Sequence, residues 1–285
     1  MDLSPLSLFA VVFLAGTMMA AADDEVDQPA KEHAAKQRLE LMQSLIADIR
    51  VSAPNAEPEG IAKFSNRPVL RYSDQTRALF GTRHLLDASV WRLGERGRPL
   101  ALVTLEIYPL RAGEGKASYE FISLSPSEVR MQLPTGAKWT AAHTELKMEP
   151  LADGPRPADS PTARLVQMRQ LARRFSVRED VEENKVECRL LSQPIDRYAD
   201  DTEKAETVIK DGAIFVFANG TNPEAGLVLE CSDKNWSFGL FRLSSAAVFA
   251  ELDGKPCFEA PAMGGYPYSL SAPYTATDRV IKLAE

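Results

Sequence analysis

Hydrophobic positions change their period near residue 87. Upstream, within 31–50, Ala35, Leu39, Met42, Leu45, Ile46 and Ile49 recur at spacings of three and four. That spacing puts them on one arc of an α-helix, and the arc must cover something, most simply a face or open end of a sheet. Residues 53–60, with Pro54, Pro58 and Gly60, read as a linker. From about Asp87 the pattern alternates. Segments 88–93 and 99–108 flank Gly94-Glu95-Arg96-Gly97 as a hairpin, and 118–124, 129–133 and 144–148 are further strand candidates.

Pro150, Pro155, Pro157 and Pro161 mark a surface crossing. It leads into a second helix over 160–175, where Ser160 can cap free N–H groups and Pro161 suits the first helical position. Leu165, Met168, Leu171, Ala172 and Phe175 form its apolar face. Strand signals follow at 186–191, 213–218, 226–231, 238–243 and 247–252. The run Ala213-Ile-Phe-Val-Phe-Ala218 is apolar on both alternating faces, which predicts a central strand covered on two sides. Asp253-Gly254 is a favoured hairpin turn into 255–259, and the end from Gly264 reads as irregular. Helix followed by strands occurs twice, and Ser89-Val-Trp…Gly97-Arg-Pro resembles Ala247-Val-Phe…Gly254-Lys-Pro, which leaves an internal duplication open. The predicted fold is α+β: mainly antiparallel sheet, curled or two-layered, with two packed amphipathic helices.

The N-terminus changes the picture. Leu6 to Ala22 is an almost apolar stretch that closes on Ala20-Ala21-Ala22 and then Asp23, Asp24, Glu25. This predicts a signal peptide over 1–22, cut after Ala22, although Met1 to Pro5 lacks a basic residue. The rival is an uncleaved anchor, but a spanning helix needs about 20 apolar residues, and this stretch is shorter. No Cys follows the cut, which argues against a lipid anchor. The expected layout is 23–60 as acidic leader, helix and linker, and 61–285 as one β-rich domain with a possible break near 150–161.

A net charge of −7 argues against nucleic acid and against adsorption to anionic lipid, both of which require a concentrated positive surface. Cys188, Cys231 and Cys257 are an odd set. They are read as three small buried apolar residues, with one disulfide and a leftover thiol as the alternative; their wide spacing fits no zinc pattern. No metal site, cofactor or catalytic residue is predicted. His33 reads as solvated. His84 lies near Ser73, Asp74 and Asp87, but no Gly-x-Ser-x-Gly elbow presents a nucleophile, and His143 has no nearby partner. The run Glu179, Asp180, Glu182, Glu183 reads as a solvated face.

Five residues stand as binding candidates. Arg169 and Arg173 are four apart on the second helix, with Arg174 and Arg178 close by, and suit an anion or acidic glycan; pairing with nearby carboxylates is the alternative. Arg71, Tyr72 and Asp74 combine charge, an aromatic and a turn former in a predicted loop, where a turn contact by Asp74 is the alternative. Trp91, Trp139 and Trp236 with Tyr266 and Tyr268 would make a sugar-stacking surface, although the setting of Trp91 is that of a core residue. Asn219-Gly-Thr221 and Asn235-Trp-Ser237 fit glycosylation acceptors, which a bacterial chain would not use.

Several strings together resemble a family of uncharacterised exported proteins of planctomycete bacteria. They are Leu70-Arg-Tyr-Ser-Asp-Gln-Thr-Arg77, the Trp91…Gly97-Arg-Pro99 hairpin, Arg164-Leu-Val-Gln-Met-Arg-Gln-Leu-Ala-Arg-Arg-Phe175, Arg189-Leu-Leu-Ser-Gln-Pro194 with Tyr198, and Asp211-Gly-Ala-Ile-Phe-Val-Phe-Ala-Asn-Gly-Thr-Asn-Pro-Glu224. Gln75 departs from the family's Pro. The resemblance implies export and a shared fold, and carries over no catalytic residue. The expectation is an exported, non-enzymatic envelope protein that binds or scaffolds an envelope component or small ligand. A carrier of an apolar ligand and an exported hydrolase are the alternatives.

Overall fold

The structure, a computed structural model, describes residues 20–52, 63–73, 77–78, 81–82, 84–181, 184–200 and 209–283. The predicted signal peptide up to residue 19, the 53–60 linker, Asp74, Glu182 and Glu183 lie outside the described residues. The chain divides into two compact units, Met1–Leu41 and Met42–Glu285. The predicted mainly antiparallel α+β architecture with a curled sheet is what the second unit shows.

Helix α1 (Ala20–Ala47) begins well before the expected start at 31 and stops before 50. Met42, Leu45 and Ile46 are buried as the spacing required, while Ile49 is buried just beyond the helix end. Strand β1 (Arg50–Ser52) follows.

A five-stranded sheet occupies the first half. In chain order its strands are β2 (Leu70–Tyr72), β5 (Asp87–Leu93), β6 (Ala101–Arg111), β7 (Glu114–Ser123) and β19 (Tyr274–Lys282). The spatial order is β19-β7-β6-β5-β2. A short pair, β3 (Arg77–Ala78) and β4 (Gly81–Thr82), lies between β2 and β5 in sequence. The expected hairpin is β5–β6. Two expectations fail here. Arg71 and Tyr72 belong to a strand rather than a loop, and the supposedly irregular tail supplies β19. Both gain ladder partners only from strands distant in sequence, Tyr72 opposite Ala88 and Tyr274 opposite Ile122.

Period-2 alternation sorts this sheet's side chains. One face carries Trp91, Val103, Leu105, Tyr119 and Phe121, buried with Met42 and the three-stranded sheet of β1, β8 (Val129–Gln132) and β9 (Lys138–Ala141). Ser89 Oγ contacts Met42 Sδ, and the rings of Phe121 and Trp139 lie 5.8 Å apart. The other face carries Ala88, Val90, Leu102, Ile122 and Tyr274, which share one core with Ile214, Val216, Val228 and Phe241 of the second sheet.

That second sheet has nine strands: β10 (Glu149–Pro150), β11 (Phe175–Val181), β12 (Asn184–Leu190), β13 (Asp196–Tyr198), β14 (Asp211–Asn219), β15 (Asn222–Cys231), β16 (Trp236–Arg242), β17 (Ala247–Leu252) and β18 (Lys255–Ala260). The order is β10-β16-β15-β14-β12-β11-β17-β18, with β13 also on β14. Central β14 is buried along Asp211–Ala218 and feeds two cores, as its unbroken apolar run predicted: Ile214 and Val216 face the first sheet, while Ala213, Phe215 and Phe217 face the concave side. On that concave side lies α2 (Pro161–Ala172), capped by Ser160 Oγ accepting from Ala163 N at 3.2 Å. The turn at Asp253 and Gly254 takes positive φ at both residues, 51° and 75°, as its sequence demanded.

Further corrections concern single elements. Segment 144–148 is not a strand; it lies over Gly239, where any Cβ would meet Leu146 and Met148, and only Glu149–Pro150 pairs with β16. Helix α2 ends at Ala172, so Phe175 packs from β11. Arg164 rather than Leu165 takes the buried position on its face. Glu179, read as solvated, is buried and accepts from Asn219 Nδ2 at 2.6 Å. All three tryptophans are buried, each indole N–H donating internally, to Ser89 Oγ, to the Ala272 carbonyl and to the Pro155 carbonyl; no sugar-stacking surface forms from them. The cysteines are free thiols, Cys188 and Cys231 buried and Cys257 half-buried.

Candidate functional site

The predicted binding residues divide between layers and do not converge. Arg71 grips Asp87 with a two-point ion pair, Nε to Oδ1 at 2.9 Å and Nη2 to Oδ2 at 2.5 Å. Tyr72 points the other way, into the core between the sheets, and donates to Glu106 Oε1 at 3.0 Å. Burial, then the Glu106 charge, pushes its hydroxyl well above the usual phenol range. Tyr108 donates to Glu106 Oε2 at 2.5 Å, and Tyr274 donates to Glu120 at 2.8 Å. This carboxylate–tyrosine ladder is satisfied from within, as buried polar groups must be. Arg169 donates to Gln193, and Arg173, the residue that caps the C-terminus of α2, is exposed. Asp74 lies outside the described residues. His33, His84 and His143 are exposed, and Asp87 is held by Arg71, so the described residues assemble no Ser/His/Asp arrangement. No group of three or more His, Cys, Asp or Glu suited to a metal occurs among the described residues.

Other charged side chains fasten elements together. Arg164 of α2 donates to Asp211 at 2.8 Å and to the Ala158 and Asp159 carbonyls, while Arg197 donates to the same carboxylate at 2.9 and 2.6 Å. Arg92 reaches Asp196, and Arg98 forks onto Glu230, which also accepts from Tyr198 at 2.7 Å. These pairs join the first hairpin to the second sheet. Their donors and acceptors are matched.

One place differs. The curled sheet does not close, and between β16 and β18 a cleft of about 460 Å³ remains. Phe238, Leu240, Cys257, Phe258 and Ala260 supply its apolar walls; His143, Glu145, Lys147, Glu149 and Glu259 stand around it. Arg242 also lines it. The register puts Arg242 in one cross-strand row with Ala225 and Phe217, on the concave face, and the residue is only 3% exposed. Its Nη2 donates to the Pro261 carbonyl at 2.5 Å. Its Nε and Nη1 have no hydrogen-bond partner among the described residues, and the carboxylate of Glu145 stays 3.9 Å from Nε. The Tyr274 ring lies 5.8 Å from the guanidinium. A buried guanidinium nitrogen that lacks an acceptor costs about 1–3 kcal/mol.

Reasoning from the sequence passed over Arg242. The signal was there: a single charge inside Phe238-Gly-Leu-Phe-Arg-Leu243, an otherwise apolar strand.

A second hollow of about 650 Å³ lies between the end of α1, β1 and residues 63–66, with Ile46, Ile49, Phe64 and Trp91 among its walls.

The fold and cleft define a class: a curled antiparallel sheet, packed on a second sheet, that holds a buried cation at an open seam. No protein-family model, curated protein or solved structure matches the chain.

Proposed function

We propose that this is an exported, non-enzymatic binding protein whose ligand seats in the cleft between β16 and β18. The observation that carries the reading is Arg242, buried in the cleft wall with two nitrogens that find no acceptor among the described residues. Binding sites of small ligands are concave, largely apolar and fitted with a few convergent polar groups, and about 460 Å³ falls within their usual size. Non-enzymatic action is supported by the chemistry around the cleft. His143 is exposed, and the thiol of Cys257 is pushed up to about 11, chiefly by desolvation, so little nucleophilic thiolate forms near neutral pH. Export is supported by the small-residue stop and acidic start at Ala20 to Glu25, and by the planctomycete resemblance. Among the described residues no helix is long and apolar enough to cross a membrane.

Native mass spectrometry of the full chain, purified from its own envelope fraction, tests the reading. The expected result is a small-molecule adduct that Arg242→Leu abolishes while the protein stays folded. Turnover of esters or glycosides by the adduct-free protein would overturn it.

A further inference from the structure

We infer that the occupant of the cleft is a small zwitterion with an apolar body, of the amino-acid or dipeptide kind, an inference that rests on the binding reading above. Three features of the cleft specify three parts of the ligand. Arg242 lies at depth with Nε and Nη1 unpartnered among the described residues, and a guanidinium selects a planar oxyanion such as a carboxylate. Glu145, Glu149 and Glu259 stand at the opening against a single lysine, Lys147. A simple anion meets repulsion there, whereas a ligand that also carries an ammonium meets attraction. Phe238, Leu240 and Phe258 provide the apolar surface for what lies between the charges.

Glu145 links the first two features. Its side chain is 45% exposed and its carboxylate sits 3.9 Å from Arg242 Nε, too far for a hydrogen bond and close enough to hold an anion's place. A ligand carboxylate entering beside Arg242 displaces Glu145, and the displaced carboxylate becomes available to the ligand's ammonium. The exchange keeps the charge balance of the cleft unchanged, since one anion replaces another at the guanidinium. It also keeps a lone anion out, because such a ligand expels Glu145 and offers it nothing. Glu145 is therefore a positioning and selectivity residue, and Arg242 is the binding residue.

Calorimetric titration of the full chain with leucyl-leucine, its N-acetyl and C-amide derivatives, and inorganic phosphate tests the inference. The free dipeptide should bind, with the acetylated and amidated forms each at least about tenfold weaker and phosphate weaker still. Arg242→Leu and Arg242→Lys should both abolish dipeptide binding, with circular dichroism confirming the fold. Glu145→Ala should narrow the gap between free and acetylated dipeptide to less than about threefold. Acetylated dipeptide or phosphate binding as tightly as the free dipeptide would overturn the zwitterion while leaving a binding cleft. If none of the probes bound and native mass spectrometry also showed no adduct, the binding reading itself would fall.

Discussion

Two buried arginines on the concave side of the curled sheet are held in opposite ways. Arg164, at the seam between α2 and β14, meets the Asp211 carboxylate and two carbonyls at 2.7–3.1 Å. Arg242, at the seam between β16 and β18, meets one carbonyl, and the Glu145 carboxylate stops at 3.9 Å. Both are almost fully buried, so hydration cannot explain the difference. What differs is the neighbourhood: the first seam is closed by a helix whose start brings its own carbonyls, and the second is left open. A matched buried ion fastens a fold, whereas the under-paired one stands where we propose that a ligand binds.

The sharpest way to break this comparison is to truncate each arginine. Arg164→Ala strands Asp211 beside a single remaining cation, Arg197, and should cost about 3–5 kcal/mol in urea unfolding. Arg242→Leu replaces an under-paired charge with an apolar side chain, and should leave stability within about 1 kcal/mol of the parent or raise it. Equal losses in the two variants would erase the distinction between clamp and site.

A smaller loss should follow from Gly226→Ala, which tests the face of the same sheet away from the cleft. A Cβ there runs into the ring of Phe241 in the core between the sheets, so overpacking should cost roughly 1–3 kcal/mol without changing ligand affinity. Ser160→Ala removes the α2 cap next to the Arg164 clamp. The expected loss is about 1 kcal/mol by thermal unfolding, and it should grow in an Arg164→Ala background, because cap and clamp hold the same helix start.

The smallest effect is read through the thiols. Cys231 pairs in register with Asp211 at the clamp, and Cys257 lines the cleft. Desolvation first, then neighbouring carboxylates, push both up to about 11. A thiol raised in the folded state favours folding below the unfolded value near 9, and that contribution disappears as pH rises through about 11. Iodoacetamide at pH 8 should therefore act slowly on both, with Cys257 modified first because it is half-buried rather than buried, and ligand should protect Cys257 alone. Protection of Cys231 instead would move the site to the wrong seam.

Much of this fold was legible in local pattern. The arc ending in Met42, Leu45 and Ile46, the two-faced run of β14, and the Asp253-Gly254 turn are each dictated by side-chain period or backbone preference within a few residues. The strand status of Arg71 and Tyr72 and of residues 274–282 was not, because their ladder partners are supplied by β5 and β7 from elsewhere in the chain. Glu179 looked solvated for a similar reason. Its neighbours in sequence are charged, and the amide of Asn219 that satisfies it comes from a different strand.

The candidate site shows the same division. Arg71, Arg169 and Arg173 carried the expected chemistry, yet two of them are occupied by Asp87 and Gln193 and the third stands in the open. From the sequence alone came the alternation and the turn chemistry, properties of adjacent residues; the solitary arginine in an apolar strand was there to be read and was passed over. Only the tertiary structure decided which arginine would find partners. Pairing depends on what strands distant in sequence place within about 3 Å, and at the open seam between β16 and β18 they place too little around Arg242.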